Sequence, residues 1–305
     1  MSGSRGAPAP WAFEPIPRHG RTWGIRASVR YCRALASAHY ENFPVALSLM
    51  GRRRVEALAA VYAFARQADD FADEPEFEGT RIRLLDAWED QLHRSLSGEV
   101  SHPVFVALHR AMRDFDLPVE PFLDLLDAFR QDCGKTRYES FDDVLDYCRR
   151  SADPVGRIML RVLGLDGDDF TRWSDSICTA LQLTNFWQDL SVDLPRDRLY
   201  LPLEDLRRFA VPVESLFQGN PPPSFNDLLR FELDRTRSLF SEGLPLLAAS
   251  GFPGVVYFSA VWMGGRAVLE LVGLQGRSIL SRRPALDAGT MLRTLVSSGG
   301  RPWIP

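Results

Sequence analysis

The chain has 305 residues, of which 45% are hydrophobic and 25% charged, and its formal net charge is −4. This composition is typical of folded globular proteins and excludes a disordered chain. The acidic balance and the scattered arginines disfavour nucleic-acid binding. No run of about 18 uncharged apolar residues occurs, so the sequence predicts no membrane-spanning helix and leaves peripheral contact with a bilayer open.

From Ser28 onward apolar residues recur at helical spacing, and no strand-like alternation competes with them, so the predicted fold class is all-α. In chain order the predicted helices span residues 28–41, 53–78, 80–97, 102–115, 119–132, 140–149, 153–163, 168–193, 203–209, 224–249, 253–274 and 286–297.

The chain is predicted to form one domain over residues 28–297, between a flexible lead-in at 1–27 and a tail at 298–305. The lead-in is rich in Pro, Gly and Arg and lacks the apolar core of a signal peptide. The four cysteines are far apart and form no C-x-x-C pair, which indicates reduced thiols. We therefore expect a cytoplasmic protein, with any peripheral contact on the inner face of the cytoplasmic membrane.

The helix predicted over 53–78 ends in an acidic motif. Asp69 and Asp73 are four residues apart, which stacks both carboxylates on one face, with Arg66 one turn earlier on the same side. Like charges at this spacing destabilise a helix by roughly 0.2–0.5 kcal/mol, which suggests a compensating cation. For this motif alone, an acidic helix end in solvent is the open alternative.

The helix predicted over 168–193 carries a narrow polar file. Its members are Gln182, Asn185, Asp189 and Asp193, at i, i+3, i+7 and i+11 among Leu, Phe, Trp and Val. A helix that is apolar nearly all round directs such a file into a cavity. Two carboxylate pairs on facing helices offer the hard oxygen ligands that Mg²⁺ shares with substrate phosphates.

These residues resemble the squalene/phytoene synthase family of head-to-head isoprenyl synthases. The motif from Asp69 to Asp73 is similar to the family's D-x-x-x-D. Residues 185–193, with Arg198 and Tyr200 behind them, are similar to its N-x-x-[QR]-D-x-x-x-D and R-x-Y. The resemblance covers roughly residues 28–280 and implies a single orthogonal helical bundle of the isoprenoid synthase type with a central apolar cavity.

The resemblance also implies the roles of individual residues. Two or three Mg²⁺ ions on an isoprenoid diphosphate would be held by Asp69, Asp73, Asn185, Asp189 and Asp193. The diphosphate would be bound or oriented by Tyr62, Arg66, Gln188, Arg198 and Tyr200. His39, Asn42 and Phe43 would also bind the substrate, with His39 in the segment that the family uses near the diphosphate. Gln182 would line the reaction cavity, and the aspartates would drive ionisation.

Residues 39–45 and 148–156 depart from members that make phytoene or squalene. Both segments resemble the bacterial hydroxysqualene synthase branch of hopanoid biosynthesis, with its E-N-F-P-V and C-R-R-S-A-[ND]-P-V-G. That branch ionises presqualene diphosphate, lets the cation rearrange and traps it with water, so no NADPH is expected. Asn42, Arg149 and Gln182 are then candidates for positioning the water, while Arg149 also fits a surface ion pair with Asp146 or Asp153.

Two other functions stay open. One is condensation of two farnesyl or geranylgeranyl diphosphates to presqualene diphosphate, squalene or phytoene. The other is a non-catalytic lipid-binding or assembly factor, which the presence of all four motif aspartates disfavours. Beyond the diphosphate substrate, contact with neighbouring pathway enzymes is the remaining expected partnership.

Overall fold

Helices make up the regular structure of residues 23–39 and 49–285, the part of the chain that the computed structural model describes. Within that part no β-strand forms, and one isolated parallel bridge joins Arg137 to Leu199. The all-α class predicted from the sequence is confirmed.

The described part contains fourteen α-helices and three short 3-10 turns. The helices are α1 (Ile25–His39), α2 (Arg52–Asp73), α3 (Arg81–Leu96), α4 (Pro103–Phe115), α5 (Glu120–Asp132), α6 (Phe141–Ser151), α7 (Asp153–Leu163), α8 (Asp168–Gln188), α9 (Leu190–Asp193), α10 (Leu203–Arg208), α11 (Val213–Phe217), α12 (Phe225–Gly243), α13 (Pro245–Ala249) and α14 (Gly251–Gln275). The 3-10 turns are Pro75–Phe77, Leu194–Arg196 and Gly276–Leu280.

The prediction of one unbroken helix over 168–193 is wrong. The chain leaves helical geometry at Asp189, with φ −96° and ψ 9°, and the four-residue α9 follows. Pro195 lies just beyond α9 and cannot continue an α-helical hydrogen-bond ladder. Asp193 therefore stands on a separate turn from Gln182 and Asn185.

Two other predicted helices are shorter than expected, and both end where a proline follows. The helix predicted over 53–78 ends at Asp73, two residues before Pro75. The helix predicted over 224–249 is divided before Pro245 into α12 and α13. The short α11 was not predicted. The helix predicted over 286–297 lies outside the described residues.

Two central helices organise the packing. Helix α2 contacts α1, α3, α4, α5 and α7, and α8 contacts α6, α7, α12 and α14. The described residues form three buried apolar clusters. One contains Phe64 of α2 and Trp88, the second contains Phe186 and Trp187 of α8, and the third contains Phe258 of α14. Each acidic motif thus lies at the C-terminal end of a helix, α2 or α8, whose preceding turns pack into an apolar core.

Helices α7 and α8 approach closely at Gly156. A Cβ atom at this position would lie 2.4 Å from the Oγ of Ser174 and 2.6 Å from the Sγ of Cys178. Glycine therefore allows α7, which also contacts α2 and α5, to pack directly on α8.

Helix α14 is the most apolar element in the described part of the chain. With the turn behind it, Gly251–Leu280 has the length and composition to cross a bilayer, with a mean hydropathy of 1.4 and 28% of its most apolar stretch buried. Apolar helices in the core of a globular protein also reach this length and hydropathy, so the two values alone do not establish a membrane-spanning helix. A Cβ on Gly265 would lie 2.4 Å from Leu181 of α8, so α14 packs closely on that helix.

Candidate active site

The first acidic motif occupies the C-terminal end of α2. Arg66 faces it from one turn earlier: its Nη1 lies 3.3 Å from Asp69 Oδ2 and its Nη2 lies 2.6 Å from Asp70 Oδ1. The Nε of Arg66 is buried and has no hydrogen-bond partner. An unpaired buried donor of this kind suits an oxyanion that approaches the same guanidinium.

Arg198 joins the first motif to the loop behind the second. Its Nη2 donates to Asp73 Oδ1 at 2.6 Å and its Nη1 donates to Asp73 Oδ2 at 3.2 Å, a bidentate pair. This hydrogen bond raises the pKa of Arg198. Arg196 stands farther off, with its Nη1 4.0 Å from Asp73. The two residues of the bidentate pair are 125 positions apart in the sequence.

The second motif is shaped by the break at Asp189. The backbone N–H of Asp193 donates to the carbonyl of Asp189 at 2.9 Å, and the N–H of Arg198 donates to the carbonyl of Asp193 at 3.0 Å. Burial, followed by the charge of Asp189, raises the pKa of Asp193 to about 6, and Asp73 of the first motif adds to this effect. The two motifs therefore act on each other electrostatically.

The carboxylates of this site are incompletely neutralised. Burial, with a further contribution from Asp73, raises the pKa of Asp69 to about 6 although Arg66 and Arg198 oppose the rise. Crowded carboxylates with raised pKa values favour an additional cation. Among the described residues, no three His, Cys, Asp or Glu side chains converge closely enough to hold a metal unaided. Mg²⁺ usually takes one or two carboxylates and completes its shell with water and substrate phosphates, so the donor set fits this ion.

Asp132 belongs to the same acidic site and was not among the predicted site residues. Its Oδ2 accepts a hydrogen bond from the hydroxyl of Tyr147 at 2.7 Å, and burial raises its pKa to about 7. The charges of Arg198, Asp73 and Asp69 also act on it. The available signal was the place of Asp132 at the last position of the helix predicted over 119–132.

An aromatic layer lies beside the carboxylates. The ring of Tyr200 stacks on Phe186 with centroids 3.8 Å apart and planes 3° apart, and it stacks on Tyr138 at 5.5 Å. Tyr147 lies 6.0 Å from both Phe186 and Tyr200. Burial raises the pKa of Tyr200, so its hydroxyl stays neutral and can donate a hydrogen bond.

The remaining predicted site residues differ in burial and in their contacts, and the side chains of three of them lie outside the described part of the chain. On α8, Gln182 is half-buried and Asn185 is exposed. Tyr62 is half-buried on α2, and its hydroxyl acts electrostatically on Arg66. Gln188 is buried, and its Nε2 donates to the carbonyl of Pro284 at 2.6 Å. The side chain of His39, and Asn42 and Phe43 altogether, lie outside the described residues.

Arg283 is a second residue that the sequence reasoning missed. Its Nε hydrogen-bonds Asp189 Oδ1, and its Nη2 donates to Asp189 Oδ2 at 3.2 Å. Together with the Gln188 contact, this pair ties the segment after α14 to the second motif. The signal was the Arg282-Arg283-Pro284 run behind the last apolar helix.

The structure does not bring Arg149 to the acidic site. Its side chain is 59% exposed, and its Nη1 lies 3.5 Å from Asp146. It lines a separate cavity of about 460 Å³ with Asp153 and Arg157. Arg149 follows the site residue Tyr147 by two positions, which on a helix points the two side chains in nearly opposite directions. Of the two predicted roles of Arg149, the structure shows the surface ion pair, and its partner is Asp146.

Comparison with known proteins adds to this geometry. The squalene/phytoene synthase family model matches residues 36–290. A hydroxysqualene synthase of Rhodopseudomonas palustris is 40% identical over 212 residues, covering 68% of this chain and 70% of the relative. A phytoene synthase of Arthrospira platensis is 31% identical over 236 residues, covering 72% and 76%. The crystal structure of squalene synthase HpnC from Alicyclobacillus acidocaldarius superposes with a TM-score of 0.79 at 38% identity, covering 83% of this chain and 95% of that one.

Proposed function

Since the chain belongs to the squalene/phytoene synthase family, we propose that it ionises presqualene diphosphate and captures the rearranged cation with water. The products are hydroxysqualene and diphosphate, one water being consumed for each substrate. The family places the chain in isoprenoid biosynthesis as an enzyme. The choice of presqualene diphosphate draws on the hydroxysqualene synthase relative and on the 39–45 and 148–156 segments.

The bidentate pair between Arg198 and Asp73 is the observation that carries this proposal. It connects two acidic motifs from distant parts of the chain through a guanidinium suited to phosphate oxygens. A substrate diphosphate at this position competes with Asp73 for the donors of Arg198. The carboxylate that it displaces becomes available to a cation.

The chain's own residues bind and orient the leaving group. Arg66 and Arg198 approach the diphosphate from the two motifs, and the free Nε of Arg66 supplies a further donor. The four motif aspartates would hold Mg²⁺, with Asn185 as a neutral oxygen ligand. When bound, Mg²⁺ supplies Lewis-acid stabilisation of the departing diphosphate.

Water must be excluded during ionisation and then admitted as a single molecule. The stacked rings of Phe186, Tyr200 and Tyr138 provide an apolar wall beside the acidic groups. Gln182 lies one turn before Asn185 on α8, and its amide can both donate to and accept from one water. We therefore assign water positioning to Gln182, and the resemblance of residues 39–45 to the hydroxysqualene synthase branch adds Asn42 to this assignment.

A product assay tests the proposal. Purified chain with presqualene diphosphate and Mg²⁺, without NADPH, is expected to release hydroxysqualene, identified by gas chromatography and mass spectrometry. Asp189→Asn should abolish diphosphate release, whereas Asp234→Asn, on the exposed face of α12, should retain it. Squalene formed only on addition of NADPH would contradict water capture.

Gln182→Leu separates ionisation from quenching. Diphosphate release should continue, because the aspartates and arginines are unchanged, while the share of hydroxysqualene among the products falls. Unchanged product distribution in Gln182→Leu would remove the water-positioning role without affecting the ionisation step.

Condensation is the second candidate function, favoured by the phytoene synthase relative. Incubation with farnesyl or geranylgeranyl diphosphate alone decides between the two. Accumulation of presqualene diphosphate, squalene or phytoene would establish condensation as the activity of this chain.

We also propose one catalytic domain over residues 28–297 and a cytoplasmic enzyme of hopanoid formation in peripheral contact with the membrane and with neighbouring pathway enzymes. The apolar character of presqualene-derived products supports a position near a bilayer. Separation of a cell lysate into soluble and membrane fractions at low and high salt measures the location.

A further inference from the structure

The outer face of α1 carries an exposed basic stripe. Arg26, Arg30 and Arg33 follow one another at i, i+4 and i+7, so they share one side of the helix. All three are exposed, and none forms an ion pair within the described part of the chain. The side of α1 that carries Ser28 and Cys32 is buried. Val29, next to the arginines, is also buried and packs into the apolar cluster that contains Phe64 and Trp88.

Two other helix ends meet α1 near this stripe and extend its charge. Val29 lines a shallow cavity with Arg53 and Ala57 from the start of α2 and with Arg110 and Phe115 from the end of α4. The combined surface, here called the basic end, comprises Arg26, Arg30, Arg33, Arg52, Arg53, Arg110 and Arg113. The same helix ends carry three carboxylates, Glu56, Asp114 and Asp116. Arg52, Arg53 and Arg110 form ion pairs with Glu56 or Asp114, so the seven arginines and three carboxylates leave a net charge of +4 that is concentrated on α1.

The basic end contrasts with the rest of the protein. The chain as a whole has a net charge of −4, so an excess of cations here requires an excess of anions elsewhere. Charge separation of this kind orients a protein on an anionic surface, because one end is attracted and the remainder is repelled.

We propose that the basic end docks on a bilayer containing anionic lipids. Besides the arginines, it exposes apolar side chains that can enter the interface, since Ile25 is 49% exposed and Leu49 is 45% exposed. Arginine near an anionic leaflet contributes about 1 kcal/mol of attraction, and this contribution falls with salt. The choice of a lipid partner over an acidic protein or nucleic acid rests on the proposed function, whose product is a hydrocarbon-like alcohol.

The position of the acidic site fits this orientation. Helix α2 has 22 residues and is therefore about 33 Å long, with the basic end at its start and Asp69 and Asp73 at its finish. A prenyl chain that lies along α2 with its diphosphate at these aspartates points its hydrocarbon toward the basic end. Docking there places the apolar end of the ligand nearest the membrane and keeps the diphosphate in water.

Vesicle binding by the full chain, without substrate, tests docking separately from catalysis. The probes are phosphatidylcholine vesicles with and without phosphatidylglycerol, each at low and high salt. The variant is Arg26→Gln/Arg30→Gln/Arg33→Gln. The matched control is Arg83→Gln/Arg94→Gln/Arg230→Gln, which removes the same charge from exposed positions on α3 and α12.

The unsubstituted chain should bind the anionic vesicles, bind neutral vesicles weakly and be released by salt. The α1 variant should bind anionic vesicles about 100-fold less tightly, at roughly fivefold for each arginine. The affinity of the control variant for anionic vesicles should fall only a few-fold. Both variants should keep the circular dichroism spectrum of a helical protein and should stay active in detergent.

Equal losses in the two variants, equal binding to neutral vesicles or no vesicle binding at low salt would each overturn the docking proposal. Binding to nucleic acid or to an acidic protein instead of vesicles would also overturn it. If the chain forms hydroxysqualene but does not bind vesicles, only the docking proposal is refuted. If it binds vesicles but forms no hydroxysqualene, only the proposed function is refuted.

Discussion

Replacement of Glu232 by glutamine should stabilise the protein in a pH-dependent way. Glu232 lies on α12 with none of its surface exposed, and neither carboxylate oxygen has a hydrogen-bond partner. The nearest cation is Arg235, whose Nη1 is 3.5 Å from Glu232 but donates to Asp205 at 2.9 Å. Burial, which Arg235 only partly offsets, raises the pKa of Glu232 to about 8 from 4.5.

The direction of the effect follows from the two states of the chain. Below pH 4.5 Glu232 is neutral in both the folded and the unfolded protein. Between pH 4.5 and about 8 the unfolded chain ionises while the folded protein keeps the proton, so the free energy of unfolding falls as pH rises. At about 1.4 kcal/mol per pH unit, the loss between about pH 5.5 and pH 8 is on the order of 3 kcal/mol.

Glutamine has the volume of glutamate and no charge to desolvate. Glu232→Gln should therefore have nearly the native free energy of unfolding at about pH 5 and exceed it by on the order of 3 kcal/mol at about pH 8. Urea unfolding followed by circular dichroism at both pH values measures the difference. Glu242→Gln, at an exposed position of the same helix, is the matched control. A pH-independent difference between Glu232→Gln and the native protein would refute the buried-carboxyl reasoning.

Three further outcomes are expected. Arg198→Lys, which cannot form the bidentate pair with Asp73, should lower kcat by about 100-fold in a steady-state assay, whereas Arg196→Lys should change it little. Gly156→Ala should lower the free energy of unfolding by about 1–3 kcal/mol, because α7 must move away from α8, whereas Gly134→Ala, with open space around it, should not. Mg²⁺ and diphosphate together should raise Tm in a thermal shift assay, and removal of Mg²⁺ with EDTA should reverse the increase. A similar kcat loss in both arginine variants, equal unfolding free energies in the two glycine variants, or a Tm insensitive to EDTA would each contradict its prediction.

Features that depend on neighbours in sequence were predictable. Helical periodicity is local, so the all-α class and most helices followed from apolar spacing alone. The spacing of Asp69 and Asp73 placed two carboxylates on one face for the same reason. Resemblance in the two motifs then indicated the family, and the family model confirms it.

Features that depend on packing between distant segments needed the tertiary structure. The pairing of Arg198 with Asp73 spans 125 residues, and no local pattern specifies which carboxylate a loop arginine meets. The direction of Arg149 depends on which face of α6 packs inward, and that face carries Tyr147. Charge repulsion, burial and hydrogen bonding at Asp132 arise only when α5, α6 and the loop after α9 come together. The sequence alone thus determined the helices and the chemical character of their ends, while the tertiary contacts decided which of those ends form one site.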